Sequence, residues 1–137
     1  MSLKNVLPGL VLGALLAGCA ATGVEGCSRG EQLMTSDWLY MGTQTPDGVV
    51  SAADWQSFLD DAVTPRFPQG LSTWPVAGQW RNSTGLTVRE ASHVLHIVHP
   101  ARAADDRAIT DIAAAYKTRF RQESVLRVRS TACVLFQ

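Results

Sequence analysis

The chain has 137 residues, enough for one modest hydrophobic core and too few for two ordinary domains. Twelve basic residues balance twelve acidic ones, so no net field draws nucleic acid or an acidic partner. At 46% hydrophobic and 18% charged, the composition is apolar for a soluble protein but is not that of a multi-span membrane protein.

A cationic start (Lys4) precedes an apolar run from Val6 to Leu16 that holds only small residues and Pro8 besides. A membrane-spanning helix needs about 20 apolar residues, and this run is shorter; with small residues behind it, it reads as a secretory signal peptide. Leu16-Ala17-Gly18-Cys19 resembles the bacterial lipobox. That resemblance implies cleavage before Cys19, a diacylglyceryl group on its thiol and an acylated (palmitate-type) amino group. Several acyl chains, at about 0.8 kcal/mol per buried CH₂, make a stable anchor. Ala20 stands where Asp would imply retention at the inner membrane, so the resemblance implies an outer-membrane lipoprotein facing the periplasm. The expected organisation is a signal peptide over 1–18, a lipidated flexible tether over 19–33 and one domain over 34–137.

Two further cysteines remain, Cys27 in the glycine-rich tether and Cys133 near the end of the chain. An exported compartment is oxidising, which favours a disulfide between them over two free thiols.

Trp38 to Gly42 reads as a strand, and Thr45-Pro46-Asp47-Gly48 as a turn. Ser51 and Asp54 approximate a capping box. Behind them Trp55, Phe58, Leu59, Ala62 and Val63 recur at helical spacing until Pro65 ends the helix. Residues 71–81 are extended, with Pro75 marking a sheet edge, and Asn82-Ser83-Thr84-Gly85 turns into a strand running to about His99. There Val94, His96 and Val98 share one face, and His93, Leu95, Ile97 and His99 the other. A helix follows Pro100, with Ile109, Ile112, Ala113, Tyr116 and Phe120 on one side, and Ser124 to Phe136 closes the chain as a strand. The order β-α-β-β-α-β predicts an α+β, ferredoxin-like fold: a four-stranded antiparallel sheet with two helices on one face. Both central strands are apolar on both faces, so the second face needs a cover. A homodimer through that sheet face is the first candidate, and the folded-back tether the second.

Thr64-Pro65-Arg66-Phe67-Pro68-Gln69-Gly70-Leu71, the LYMG strand, Gly78-Gln79-Trp80-Arg81 and the run Tyr116 to Arg127 are distinctive. Together they resemble the bacterial family called domain of unknown function 3574, over roughly residues 36 to 136. The family is typically secreted or lipid-anchored, and the resemblance implies no reaction, ligand or partner.

The histidines His93, His96 and His99 alternate between strand faces. His93 and His99 stand about 20 Å apart at strand rise, so the three cannot share one metal ion. No nucleophile elbow, phosphate loop or Cys-His arrangement is present, and no cofactor is expected. Asp60/Asp61 and Asp105/Asp106 lie at helix ends, where structural roles are expected. Arg66 sits between two prolines in a stiff loop suited to present a guanidinium to a carboxylate or phosphate. The competing role is a clamp onto Asp61 or Glu123. Lys117, Arg119 and Arg121 read as a solvated helix face.

Two functions follow. The first is a non-enzymatic envelope module that binds an envelope protein or small ligand through the sheet face or a surface around Arg66, Trp80 and Arg81. The second is a small enzyme of the dimeric α/β-barrel type, with a pocket between sheet and helices that uses Tyr40, His96 or Glu123. That second reading rests on analogy of fold.

Overall fold

A computed structural model describes residues 26–81 and 84–137. The expected signal peptide, the lipobox-like stretch with Cys19 and the first part of the expected tether lie outside the described residues.

Strand β1 (Gln32–Gly42) is longer than the five-residue strand the sequence predicts, because the Leu33 to Asp37 stretch pairs with the C-terminal strand as well. Two short strands, β2 (Gln44–Thr45) and β3 (Gly48–Val49), form a hairpin around Pro46-Asp47. Helix α1 (Ala52–Phe58) starts at a full capping box: Ser51 takes the Asp54 backbone N–H, and the Asp54 carboxylate takes the Ser51 backbone N–H. Its last turn widens into a π-turn over Leu59–Val63, where Thr64 N donates to Leu59 O at 2.8 Å. Trp55, Phe58, Leu59 and Val63 nevertheless stay buried together.

Strand β4 (Ser72–Arg81) pairs antiparallel with β5 (Thr87–His99), which pairs antiparallel with β1. Helix α2 (Ala103–Phe120) buries Ile109, Ile112, Tyr116 and Phe120, the side its spacing predicts. Strand β6 (Leu126–Val134) then pairs antiparallel with the other side of β1. The sheet order is β4-β5-β1-β6. The protein is therefore α+β, with β1 and β5 central. Pro75 sits on edge strand β4, where its missing N–H breaks no second ladder.

Alternation along the central strands decides what each face carries. Leu39, Met41, Leu95 and Ile97 are fully buried against Trp55, Phe58, Ile109, Ile112 and Tyr116, so both helices cover one face. Asp37 shares that face and is also fully buried. The opposite face carries Ser36, Trp38, Tyr40, Val94, His96 and Trp74, and Tyr40 and Trp74 remain exposed there. Cys27 and Cys133 form the predicted disulfide, with their Cα atoms 5.4 Å apart. It ties the tether to edge strand β6, so the described part of the tether is anchored at the sheet's edge.

Candidate active site

The loop between the π-turn and β4 is held by its own backbone hydrogen bonds. Arg66 N and Phe67 N both donate to Val63 O, each at 3.0 Å, and Gly70 N donates to Phe67 O at 3.2 Å. Phe67, only 5% exposed, pins the loop into the core and lies tilted over the His99 ring at 5.5 Å between centroids. Pro65 and Pro68 fix φ on either side of this anchor, and Gly70 takes φ +135°, a region that favours glycine, to release the chain into β4. β4 begins opposite His96, so the end of β5 beyond it has no strand on that side, and the loop stands there instead.

A cavity of about 760 Å³ opens at this place, within the size range of small-molecule sites. Met34, Phe67, Leu71, Val98 and Phe136 supply its apolar walls; Arg66, His96, Arg102 and Asp105 supply its charged or titratable groups. The predicted pocket between sheet and helices is corrected by this placement. That interface is filled by buried side chains, with Leu39, Ile97, Ile112 and Tyr116 wholly inaccessible, and the cavity lies at the end of the sheet instead.

His96 is the reactive group best placed in the cavity. Its Nε2 lies 2.7 Å from Ser36 Oγ, and Trp38 Nε1 donates to the same hydroxyl at 3.1 Å. Trp38 stacks on the imidazole at 4.1 Å between centroids, and Trp74 meets Trp38 edge-on at 5.4 Å. Burial pushes the His96 imidazole below its ordinary value, which keeps it neutral at pH 7. A hydroxyl can donate or accept, so Ser36 can satisfy Nε2 with the ring proton on either nitrogen. Nδ1 carries no protein hydrogen bond among the described residues.

His99 also lines the cavity but is spent on structure. Nδ1 faces Pro100 O at 2.8 Å and Nε2 faces Asp37 Oδ2 at 2.9 Å, so neither nitrogen is left for a ligand. Asp37 further accepts two bonds from Arg127, at 2.7 Å each, and weaker ones from Arg129. Burial alone would push the Asp37 carboxyl up; the donors from Arg127, His99 and Arg129 outweigh it and hold it at about 2. Both arginines reach on to Asp106 at the start of α2, which couples sheet and helix. Asp106 and Asp105, which pairs with Arg102, thus play the structural roles the helix-end position predicts.

The remaining predicted residues disperse. Arg66 lines the cavity, but it pairs with neither Asp61 nor Glu123: its Nη1 donates to Ala62 O at 2.6 Å. Arg119 takes Asp61 and Ser57 instead, because it sits on α2 directly across from α1. Arg121 pairs with Asp47, so the basic run is not simply solvated. Trp80 and Arg81 lie at the far end of β4, Tyr40 at the far end of β1 and Glu123 after α2, and none of them reaches the cavity. His93 stacks on Trp55 at 4.4 Å on the helix side, away from His96. Among the described residues, the one cluster with metal-binding geometry is Cys27, Glu31 and Cys133, whose cysteines are already joined. Ser36 and Asp37 escape the sequence reading. The available signal was two polar residues entering an apolar strand.

An α+β sheet with one helix-covered face and a cavity at its end defines the class. The chain belongs to the family described as "Protein of unknown function (DUF3574)", whose model matches residues 36–136. No curated protein matches it. Among solved structures it is similar to a phage SAM lyase in complex with S-methyl-5'-thioadenosine, with a TM-score of 0.56 and 15% identity over 82% of this chain and 95% of that one. The apo form of such a lyase gives 0.54 and 16% over 79% and 92%. The likeness is one of fold. It corrects the expectation of a non-enzymatic binding module, since both of these structures, matched over 95% and 92% of their length, are of an enzyme, and the fold is therefore enzyme-like.

Proposed function

We propose that the protein is a small enzyme that transfers a proton on a small organic molecule held in the cavity beneath the 65–71 loop. His96 is the transferring group. The observation that carries this reading is its setting: one ring nitrogen held by Ser36, one ring face held by Trp38, and the other nitrogen unclaimed at a cavity wall. A neutral imidazole near pH 7 is a competent general base.

The lyase of similar fold suggests the substrate class, adenosyl sulfonium and thioether compounds. A lyase breaks its bond without water. In an elimination the carbon-bound proton goes to His96 Nδ1, the C–H electron pair becomes the new C=C bond, and the C–S pair leaves on sulfur. The sulfonium thereby becomes a neutral thioether, and Ser36 accepts from Nε2–H of the protonated ring. The test is incubation with S-adenosylmethionine, with S-methyl-5'-thioadenosine followed by chromatography and its binding measured by calorimetry. Release of the thioether by the native protein, and its loss in His96→Gln with binding retained, is the expected result. No binding of either compound and no release would sink the substrate class; equal turnover by His96→Gln would sink the role of His96.

We further infer that Cys19 carries the lipid anchor, on the strength of the lipobox-like Leu16-Ala17-Gly18-Cys19 behind an apolar run. Among the described residues no helix is long and apolar enough to cross a membrane. Cys19→Ser is expected to move the protein from the membrane fraction of a bacterial host to the soluble one, and unchanged retention would refute the anchor.

A further inference from the structure

We infer that Arg66 is the anion subsite of this cavity and takes a carboxylate on the molecule bound beside His96. The inference rests on the cavity being the substrate site. Three observations carry it.

The first is how the guanidinium is presented. Pro65 stiffens the backbone before it, the Val63 carbonyl holds its own N–H, and buried Phe67 nails the next residue to the core. Nη1 on Ala62 O at 2.6 Å then fixes one edge of the planar group, which leaves its other donors for a second acceptor. A guanidinium ordered before binding loses less entropy when it meets a ligand.

The second is the charge balance of the walls. Arg102 is taken by Asp105 through two bonds, Nε at 2.6 Å and Nη2 at 3.1 Å, and the pair cancels. Arg66 has no carboxylate partner among the described residues, so the cavity carries one uncompensated positive charge. One positive charge matches a carboxylate, which bears one negative charge and the two oxygens that a guanidinium fork fits. A phosphate monoester would bring nearly two.

The third is the rest of the lining. Met34, Leu71, Val98 and Phe136 offer an apolar bed next to the charge, so the site suits a carboxylate on an apolar body. S-adenosylmethionine has a carboxylate on its amino-acid part, beside an ammonium, and S-methyl-5'-thioadenosine has none.

The experiment compares 2-naphthoate, its neutral amide 2-naphthamide and 2-naphthyl phosphate by NMR titration of the labelled protein, following the amides of residues 69–72. Naphthoate is expected to bind about tenfold more tightly than the amide. Arg66→Gln, which keeps a polar side chain and removes the charge, is expected to erase that preference and leave amide binding unchanged, with an unaltered thermal melt. No preference in the native protein, a preference that survives Arg66→Gln, or phosphate binding more tightly than naphthoate would each overturn the assignment. The substrate class is read separately with S-adenosylmethionine. If it is neither bound nor converted while the naphthoate preference holds, the substrate class falls and the subsite stands. If it is converted without any naphthoate preference, the subsite alone falls.

Discussion

Arg127 grips Asp37 with two nitrogens, Nε on one carboxylate oxygen and Nη2 on the other, each at 2.7 Å. The carboxylate has no solvent exposure, and it sits on the central strand of the sheet between a histidine and two arginines. A buried carboxylate in an otherwise apolar layer is tolerable only because every lone pair finds a charged or polar donor.

Breaking this cluster from the Asp37 side should be costly. Asp37→Asn keeps the shape and removes the charge, leaving Arg127 and Arg129 with Asp106 alone. We expect a loss of about 3–5 kcal/mol in urea unfolding at pH 7. A loss below about 1 kcal/mol, the range of an exposed pair, would show that the cluster is not the buried ion group described here.

The same carboxylate sets an acid limb. Its folded value of about 2 lies below the ordinary 3.8, so between those two values the unfolded chain binds a proton that the folded one refuses. Stability therefore falls as the pH drops from about 4 to 2, by about 2 kcal/mol from this group. Asp37→Asn should flatten that part of the pH profile, and an unchanged slope would place the acid sensitivity elsewhere.

The disulfide closes a loop with a sequence separation of 106 residues. Chain entropy credits such a closure with about 4–5 kcal/mol, and native bridges in small exported domains cost about 2–5 kcal/mol to remove. Cys133→Ser, or reduction of the native protein, should lower the melting temperature accordingly. Identical melts with and without reductant would mean that the bridge constrains nothing that the sheet does not already hold.

Tyr116 is wholly buried between Phe58, Trp55 and Phe120, and its hydroxyl donates to Gly42 O at 3.0 Å. Burial pushes its phenol well above the ordinary value, so it stays a neutral donor at any working pH. Tyr116→Phe should cost about 1 kcal/mol, for one hydrogen bond. Tyr116→Ala should cost about 3–5 kcal/mol, as for other large aromatics, for the cavity it leaves. Near-equal losses for the two would locate the energy in the hydroxyl and not in the packing.

Much of the fold was legible because it rests on local pattern. The apolar spacing from Trp55 to Val63 and from Ile109 to Phe120 sets two helix faces whatever lies above them. The alternation from His93 to His99 separates His96 from its neighbours, and Pro75 can stand only at an edge. The π-turn was not legible, since one inserted backbone residue leaves the same side chains buried. Arg66 and His96 were both singled out, but for different reasons and without any sign that they line one cavity.

The sequence by itself determined the two helix faces, the presence and order of the four sheet strands and the opposition of His96 to His93 and His99. All of these follow from residue type and short-range period. Only the tertiary structure decided which polar groups meet. Ser36 reaches His96 across 60 positions, Asp37 reaches Arg127 across 90, and Arg119 displaces Arg66 as the partner of Asp61. Such meetings depend on strand register and on which helix face lies opposite, and a register is fixed by the packing of the whole sheet and not by any stretch within it.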